Sequence, residues 1–546
     1  MTQGTALHVK EKSIGAVVSI CVLVIILSLS VSGLYSRILI PISGTIVTDP
    51  RLTLTTSPYP SKLANNVTIS GAYTDPLGNP LPHQTLSIQF SFDKTSWSTL
   101  RSTETDDHGL YSLVWTPSAS GLFWLRAVSA SISKISEHIV ANSIVATASE
   151  LQNSMMTRGV VFVREGEYNL SSVLTIISDL CLIGSGEKSI FRVPQNRVSP
   201  ILYGENVSNV RVARISFDGG SSPTSQNGGS AITFVNSTRI HAESLKIVNL
   251  DKEAILFESC KNVTLLRTSI SRVWTGVVVR DSQEVTVQEN TIDWTAGDGI
   301  YVTISPAKIG CTGVTIAKNN LTRIGDTGID ISTPFGGTSY NLKVIENGYV
   351  NYNDLSPSEE KNGIGITLSR CVNVEVLGNV VAKSKGGLLI GIAVVNAKIR
   401  SNAFSEFSQY GIWVVSTTNL DSNRFSDGNA TGIRINPSAG NFAISSNTFS
   451  NTSIAIAWIG PAPNIVIQNN TILNPTLYGI SDGGEDYWTG GTYIVNNTIA
   501  DTRAIHKMQY GLYQTSPKGM WTIENNVISG AVLAPMYLTG KNTIIG

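Results

Sequence analysis

Carboxylates in glycine-flanked turns are the residues of this chain with the plainest capacity for chemistry. The stretch Val285-Thr-Val-Gln-Glu-Asn-Thr-Ile-Asp-Trp-Thr-Ala-Gly-Asp-Gly-Ile-Tyr-Val302 is followed by Val314-Thr-Ile-Ala-Lys-Asn-Asn-Leu-Thr-Arg-Ile-Gly-Asp-Thr-Gly-Ile-Asp-Ile331, nearly the same pattern. Each copy has an Asp in a turn beside glycine (Asp298, Asp326) and another close by (Asp293, Asp330). If the copies stack, Asp298 and Asp326 meet on adjacent layers. Two carboxylates can cleave a glycosidic bond when one protonates the leaving oxygen and the other activates water or attacks. Oxygen ligands of this kind also suit Ca²⁺. The simpler expectation is architectural, with Asp satisfying backbone donors at a corner. Asp298, Asp326 and Asp330 are therefore the catalytic candidates. A second group lies in Ser481-Asp-Gly-Gly-Glu-Asp-Tyr-Trp-Thr-Gly-Gly491. There Asp482, Glu485 and Asp486 stand beside Tyr487 and Trp488, a candidate glycan-binding patch in an expanded turn.

The elements that must position these groups follow from a repeat. Asn in the pattern Asn-X-apolar recurs at Asn290, Asn319, Asn347, Asn379, Asn402, Asn423, Asn447, Asn470, Asn497 and Asn526, with gaps of 21 to 32 residues. An alternating strand precedes each, and about ten residues later a turn gives Gly-Ile-X-apolar, as at Gly299, Gly328, Gly363, Gly411, Gly432 and Gly479. Such a period with three short strands predicts one coil of a parallel β-helix, in which only stacking buries the inner side chains. Asn suits the turn because it tolerates a left-handed backbone, and stacked amides hydrogen-bond from coil to coil. About fourteen coils at ~4.8 Å would give a rod of ~65–70 Å.

Cys260, Cys311 and Cys371 each close a coil, with Ser282 and Tyr340 at that place in the intervening coils. Two coils separate successive cysteines, more than the ~7 Å a disulfide spans between Cα atoms. With Cys181 and Cys21, all five are expected to be unpaired.

The whole chain is 546 residues long, with 14% charged residues, 48 Gly and zero formal net charge. No basic block is present, which argues against nucleic acid as a partner. After residues 1–12, the run over 13–36 is uncharged for more than 20 residues, long enough to span a bilayer. It reads as an uncleaved signal-anchor, with a removed signal at Val31-Ser-Gly33 as the alternative. Either way the remainder is expected outside the cell membrane. Ten sequons (Asn66, Asn169, Asn206, Asn236, Asn262, Asn320, Asn429, Asn451, Asn469 and Asn496) are candidate glycosylation sites.

Residues 46–145 read as alternating strands at the spacing of a small β-sandwich. The run Thr105-Asp-Asp-His-Gly-Leu-Tyr-Ser-Leu-Val-Trp-Thr-Pro117, then Gly121-Leu-Phe-Trp-Leu-Arg-Ala127, resembles the Ig-like repeats of prokaryotic surface proteins. That resemblance implies a spacer. Thr147 or Ser149 is expected to cap a short helix before the β-helix of 146–546. The opening Gly159-Val-Val-Phe-Val-Arg-Glu-Gly-Glu-Tyr-Asn-Leu170, with Leu180-Cys-Leu-Ile-Gly-Ser-Gly-Glu187, resembles that of the pectate-lyase-like superfamily, which implies a right-handed parallel β-helix. Polygalacturonases of this fold cluster several Asp with a Gly-His-Gly and an Arg-X-Lys. Neither tripeptide follows Asp326 here, and the paired Asp is single.

The resulting expectation is an all-β, membrane-tethered surface protein with a structural, adhesive or glycan-binding role. A polysaccharide lyase or glycoside hydrolase is the competing class, because this fold hosts both. No cofactor motif is present, leaving Ca²⁺ as the candidate ion. The C-terminal coil, Met536 to Gly546, shows no capping helix and is a candidate edge for pairing with a second copy or a surface-layer partner.

Overall fold

A computed structural model describes residues 49–545 apart from 131, 194–197, 221–227, 307, 309, 335, 352–362, 437–439, 459–463 and 483–490. It also gives the backbone of two short strands, Ser19–Cys21 and Ser43–Thr45, which pair antiparallel. The anchor expected over 13–36 lies, but for Ser19–Cys21, outside the described residues. Among those described, no helix is long and apolar enough to cross a membrane. The chain divides into two compact units, Met1–Asn142 and Ser143–Gly546.

In the first unit, alternation of apolar and polar residues makes strands that pair antiparallel, except that Ser61–Lys62 runs parallel to Ser133–Ala141. Five of them (Ser61–Lys62, Ser133–Ala141, Gly121–Val128, Thr85–Ser91, Ser98–Glu104) form one sheet, and Arg51–Leu52, Val67–Thr74, Thr55–Ser57 and Leu110–Trp115 form another. Val67, Ile69, Leu86, Ile88, Tyr111 and Leu125 from both sheets share one core. The aromatic motif of the sequence is a packing device: the rings of Trp115 and Phe123 meet edge to face at 5.0 Å.

The second unit opens with the strand Ser143–Val145, followed by a helix, Ala148–Met155. Thr147 caps it, its hydroxyl accepting from Glu150 N–H while the Glu150 carboxylate returns to the Thr147 backbone. The stack then begins at once: Ser143–Val145 pairs in parallel with Gly159–Val163. One sheet runs through 17 parallel strands, one per coil, and a second through 28 short strands, two per coil over most of its length. Sixteen steps at ~4.8 Å make the stack about 77 Å long. It is longer than the ~65–70 Å expected from the repeat, whose asparagine first appears at Asn290, several coils into the stack.

That ladder is continuous. Each Asn Nδ2 from Asn290 to Asn497 donates to the Oδ1 of the next, at 2.9 to 3.1 Å, ending on Asn526. The same Oδ1 also accepts the backbone N–H of the preceding asparagine, as Asn447 Oδ1 does from Asn423 N at 2.8 Å. These amides are buried, and full pairing is the condition for burying them without penalty. Beside them, Phe404, Phe425 and Phe449 stack at 5.4 and 4.6 Å in the interior.

A glycine column fixes the next corner. A Cβ on Gly299 would stand 2.6 Å from the Gly328 carbonyl oxygen, and one on Gly432 would stand 2.7 Å from that of Ala455. Glycine is required there by close approach of the coils. Register assigns Gly365 to this column rather than Gly363, since Ile329 pairs with Ile366. Another adjustment concerns the cysteines. Ser339, not Tyr340, is in file with Cys371, giving an alternating Cys–Ser column. Cys260 N donates to Ser282 Oγ at 2.9 Å, Ser282 N to Cys311 Sγ at 3.4 Å, and Cys311 N to Ser339 Oγ at 3.1 Å. Cys181, Cys260, Cys311 and Cys371 are all free thiols. Burial pushes the thiols of Cys260 up to about 11 and Cys371 up to about 12, so they pack as small apolar groups.

Candidate functional site

The glycine-flanked carboxylates are placed by the strands Ile300–Thr303 and Thr327–Ile331, which pair Ile300 with Ile329. That register sets Asp298 level with Thr327, and Asp326 one residue earlier, level with Gly297. The two aspartates are thus offset rather than in file. Asp298 Oδ1 accepts the Thr327 backbone N–H at 3.2 Å, a corner bond between coils. Asp293 is held by Arg323, whose Nε donates at 2.7 Å, and by the Thr322 hydroxyl. Burial opposes the charge on Asp293, but these bonds hold its carboxyl below the usual range.

Asp330 differs. It faces outward near the far end of its strand, and Ser332 Oγ donates to its Oδ2 at 3.0 Å. Its Oδ1 is buried without a hydrogen-bond partner. Burial pushes this carboxyl up to about 7. Asp326 lies in the turn just before the strand Thr327–Ile331 that carries Asp330. The charge of Asp326 reaches the Asp330 carboxyl and raises it further, after burial as the larger cause. Among the described residues no group of three or more His, Cys, Asp or Glu side chains could hold a metal ion.

Asp482 ends the strand Tyr478–Asp482 and turns inward, 3% exposed. Its Oδ1 accepts from Thr515 N at 2.7 Å and from the Thr515 hydroxyl at 3.2 Å. Burial raises its pKa despite these bonds. It anchors the next coil and offers no oxygen to a ligand in solution. Glu485, Asp486, Tyr487 and Trp488 lie outside the described residues.

A different surface emerges from the register. The strands Ile364–Leu368, Gly386–Ile390, Tyr410–Val414, Thr431–Ile435, Ile454–Trp458, Tyr478–Asp482, Tyr510–Gln514 and Ala534–Leu538 lie side by side. Each turns two residues away from the stack interior, of which Tyr410 and Ser481 are nonetheless covered, at 3% and 4% exposure. One file reads Ile364, Gly386, Tyr410, Thr431, Ile454, Tyr478, Tyr510, Ala534, and the other Thr367, Leu389, Trp413, Arg434, Ala457, Ser481, Tyr513, Tyr537. Arg434 is the one charged residue in these two files. The adjoining sheet is unlike this, its outer file carrying Lys343, Glu375 and Lys398, with Lys398 paired to Glu375 at 3.1 Å.

The aromatic members form two clusters. Tyr410 lies over Gly386, where a Cβ would meet the ring at 2.4 Å. It contacts Trp413 edge to face at 5.5 Å, and the Arg434 guanidinium lies over the Trp413 ring at 5.0 Å. Further along, Tyr478 and Tyr513 stack at 4.2 Å, while Tyr510 and Tyr537 close around Tyr513 at 5.2 and 5.5 Å. Tyr537 is 44% exposed. A solvated sheet face is ordinarily polar, and a long aromatic face with a single charge is the informative exception. Its signal was present in the sequence as Tyr410-Gly-Ile-Trp413, Tyr478-Gly-Ile-Ser481 and Tyr510-Gly-Leu-Tyr513, on either side of the glycine that marked the coil.

The family described as Right handed beta helix region matches residues 201–381, 344–499 and 390–545. The chain belongs to this family. Solved structures similar to this right-handed β-helix include the mannuronan C-5 epimerase A-module of Azotobacter vinelandii, at 15% identity and a TM-score of 0.34, covering 73% of this chain and 96% of that one. The family 28 exopolygalacturonase of Yersinia enterocolitica is 12% identical with a TM-score of 0.37, covering 88% and 99%. The Streptococcus pneumoniae surface protein and adhesin PfbA is 12% identical with a TM-score of 0.40, covering 73% and 100%. Comparison with curated proteins gives no match.

Proposed function

We propose that this right-handed β-helix is an exported, membrane-tethered surface protein that binds a glycan without cleaving it. The observation that carries this reading is the aromatic face over eight coils, with Arg434 as its one charged side chain. Pyranose rings present apolar C–H faces and a rim of hydroxyls. Tyrosine and tryptophan present an apolar body and a polar tip, so the two surfaces match in both respects. The tyrosines are already stacked on one another, so little side-chain freedom is lost when they meet a ligand. Export is supported by the uncharged run over 13–36 and by the ten sequon asparagines, all of which are exposed. Pairing of the last coil with a second copy is a separate expectation, checked by light scattering of the full chain against concentration.

The deciding experiment exposes the purified protein to a polysaccharide panel, with and without Ca²⁺, and records binding and product release separately. Binding that weakens in Trp413→Ala and Tyr513→Ala, with no product released, is the expected result. Binding left unchanged by both substitutions would overturn the reading. The second reading, a hydrolase or lyase, is favoured by one observation. A carboxyl that stays protonated to about pH 7, as Asp330 does, is what a general acid requires. Under that reading, product appears and Asp330→Asn abolishes it.

A further inference from the structure

The two aromatic clusters are separated by coils without outward aromatic rings, which carry Thr431 and Ile454 in the first file. Between Trp413 and Tyr513 in one file stand Arg434, Ala457 and Ser481, and Arg434 is folded onto Trp413. Ala457 and Ser481 reach no further than a methyl and a buried hydroxyl. Four coil steps separate Trp413 from Tyr513, about 19 Å. The arrangement is a saddle: an aromatic post at each end and a shallow floor between. Tyr478 stacks on Tyr513 and contacts Tyr510, both on its C-terminal side. Among the described residues, no ring covers the side that faces the floor.

Resting on the glycan reading above, we infer that the ligand is an extended, uncharged linear glycan lying along the stack and held at both posts at once. A single sugar reaches one post only. A linked pyranose advances about as far as one coil, so the span calls for a chain of roughly four or five rings. An uncharged polymer fits because no acidic side chain faces outward in the two files, and Arg434, their sole charge, is folded over an aromatic ring. Engagement of two posts by one chain makes the second contact intramolecular, so affinity rises steeply once the chain bridges them.

The test uses the full chain with β-1,4-linked glucose and N-acetylglucosamine oligomers from disaccharide to octasaccharide, by calorimetry. Affinity is expected to rise sharply between trisaccharide and hexasaccharide and then level off. Trp413→Ala should weaken hexasaccharide binding at least about tenfold. Ala457→Trp, which raises a ring on the floor, should remove the gain with length. Thermal melting of each variant shows that the fold is intact. Equal affinity for short and long oligomers would overturn the bridging span and leave the glycan reading standing. No binding of any oligomer in either series would overturn the proposal, and the polysaccharide panel would then decide whether the glycan reading falls with it.

Discussion

Asp330 carries the clearest residue-level consequence. Its carboxyl is raised from an ordinary carboxylate value to about 7 by burial, so the folded state keeps a proton that the unfolded chain releases. This stabilisation is complete below about pH 4 and is lost as pH rises through about 7. Asp330→Asn should therefore flatten the dependence of the melting temperature on pH across that window. His138 works in the other direction. It is fully buried between Ser61 and Thr56, with its pKa lowered by burial to about 4. The unfolded chain takes up a proton near pH 6.5, so the first unit should lose stability as pH falls from about 6.5 to 4, by up to about 3 kcal/mol. His138→Gln should remove that loss, as followed by Trp115 fluorescence. Asp298→Ala deletes a corner bond and should cost about 1 kcal/mol in denaturant titrations, with glycan binding unaltered. What the sequence told at this scale was uneven. Glycine beside Asp marked a corner correctly, but the offset between Asp298 and Asp326 depends on how many residues the preceding turn contains. Asp482 resembled a surface acid because nothing local reports that Thr515, more than thirty residues on, closes over it.

At the scale of the element, the asparagine ladder binds each coil to the next. Asn423 accepts from Asn402 N and Nδ2 and donates to Ile399 O and Asn447 Oδ1. Asn423→Ala leaves those buried partners unmet and should cost about 2–4 kcal/mol in chemical denaturation, without changing the folded far-UV spectrum. Gly432→Ala should be as damaging, because its methyl would fall 2.7 Å from the Ala455 carbonyl oxygen and 2.8 Å from Phe449. The ladder was legible because one residue type recurs in an unvarying turn. The glycine column was legible except at Gly363, where two glycines two residues apart fit the motif and only the pairing of Ile329 with Ile366 decides between them. The aromatic files were visible as letters but silent as surface, since their meaning comes from neighbours about two dozen residues away.

For the molecule as a whole, stability is a sum over neighbouring coils, so damage stays local until enough interfaces fail. Every amide in the ladder points the same way along the stack, and each coil presents to the next what it received from the one before. A segment cut out between two ladder positions therefore leaves ends that still match. Excising residues 447–469 would set Asn423 against Asn470 and bring the two aromatic posts one coil nearer, by about 4.8 Å. The shortened protein should fold, and its preferred oligosaccharide should be one sugar shorter, as read by the same calorimetric series. The unidirectional wire of amides thus makes the protein a ruler whose graduations can be removed or inserted singly, so that descendants of one gene could come to measure chains of different lengths.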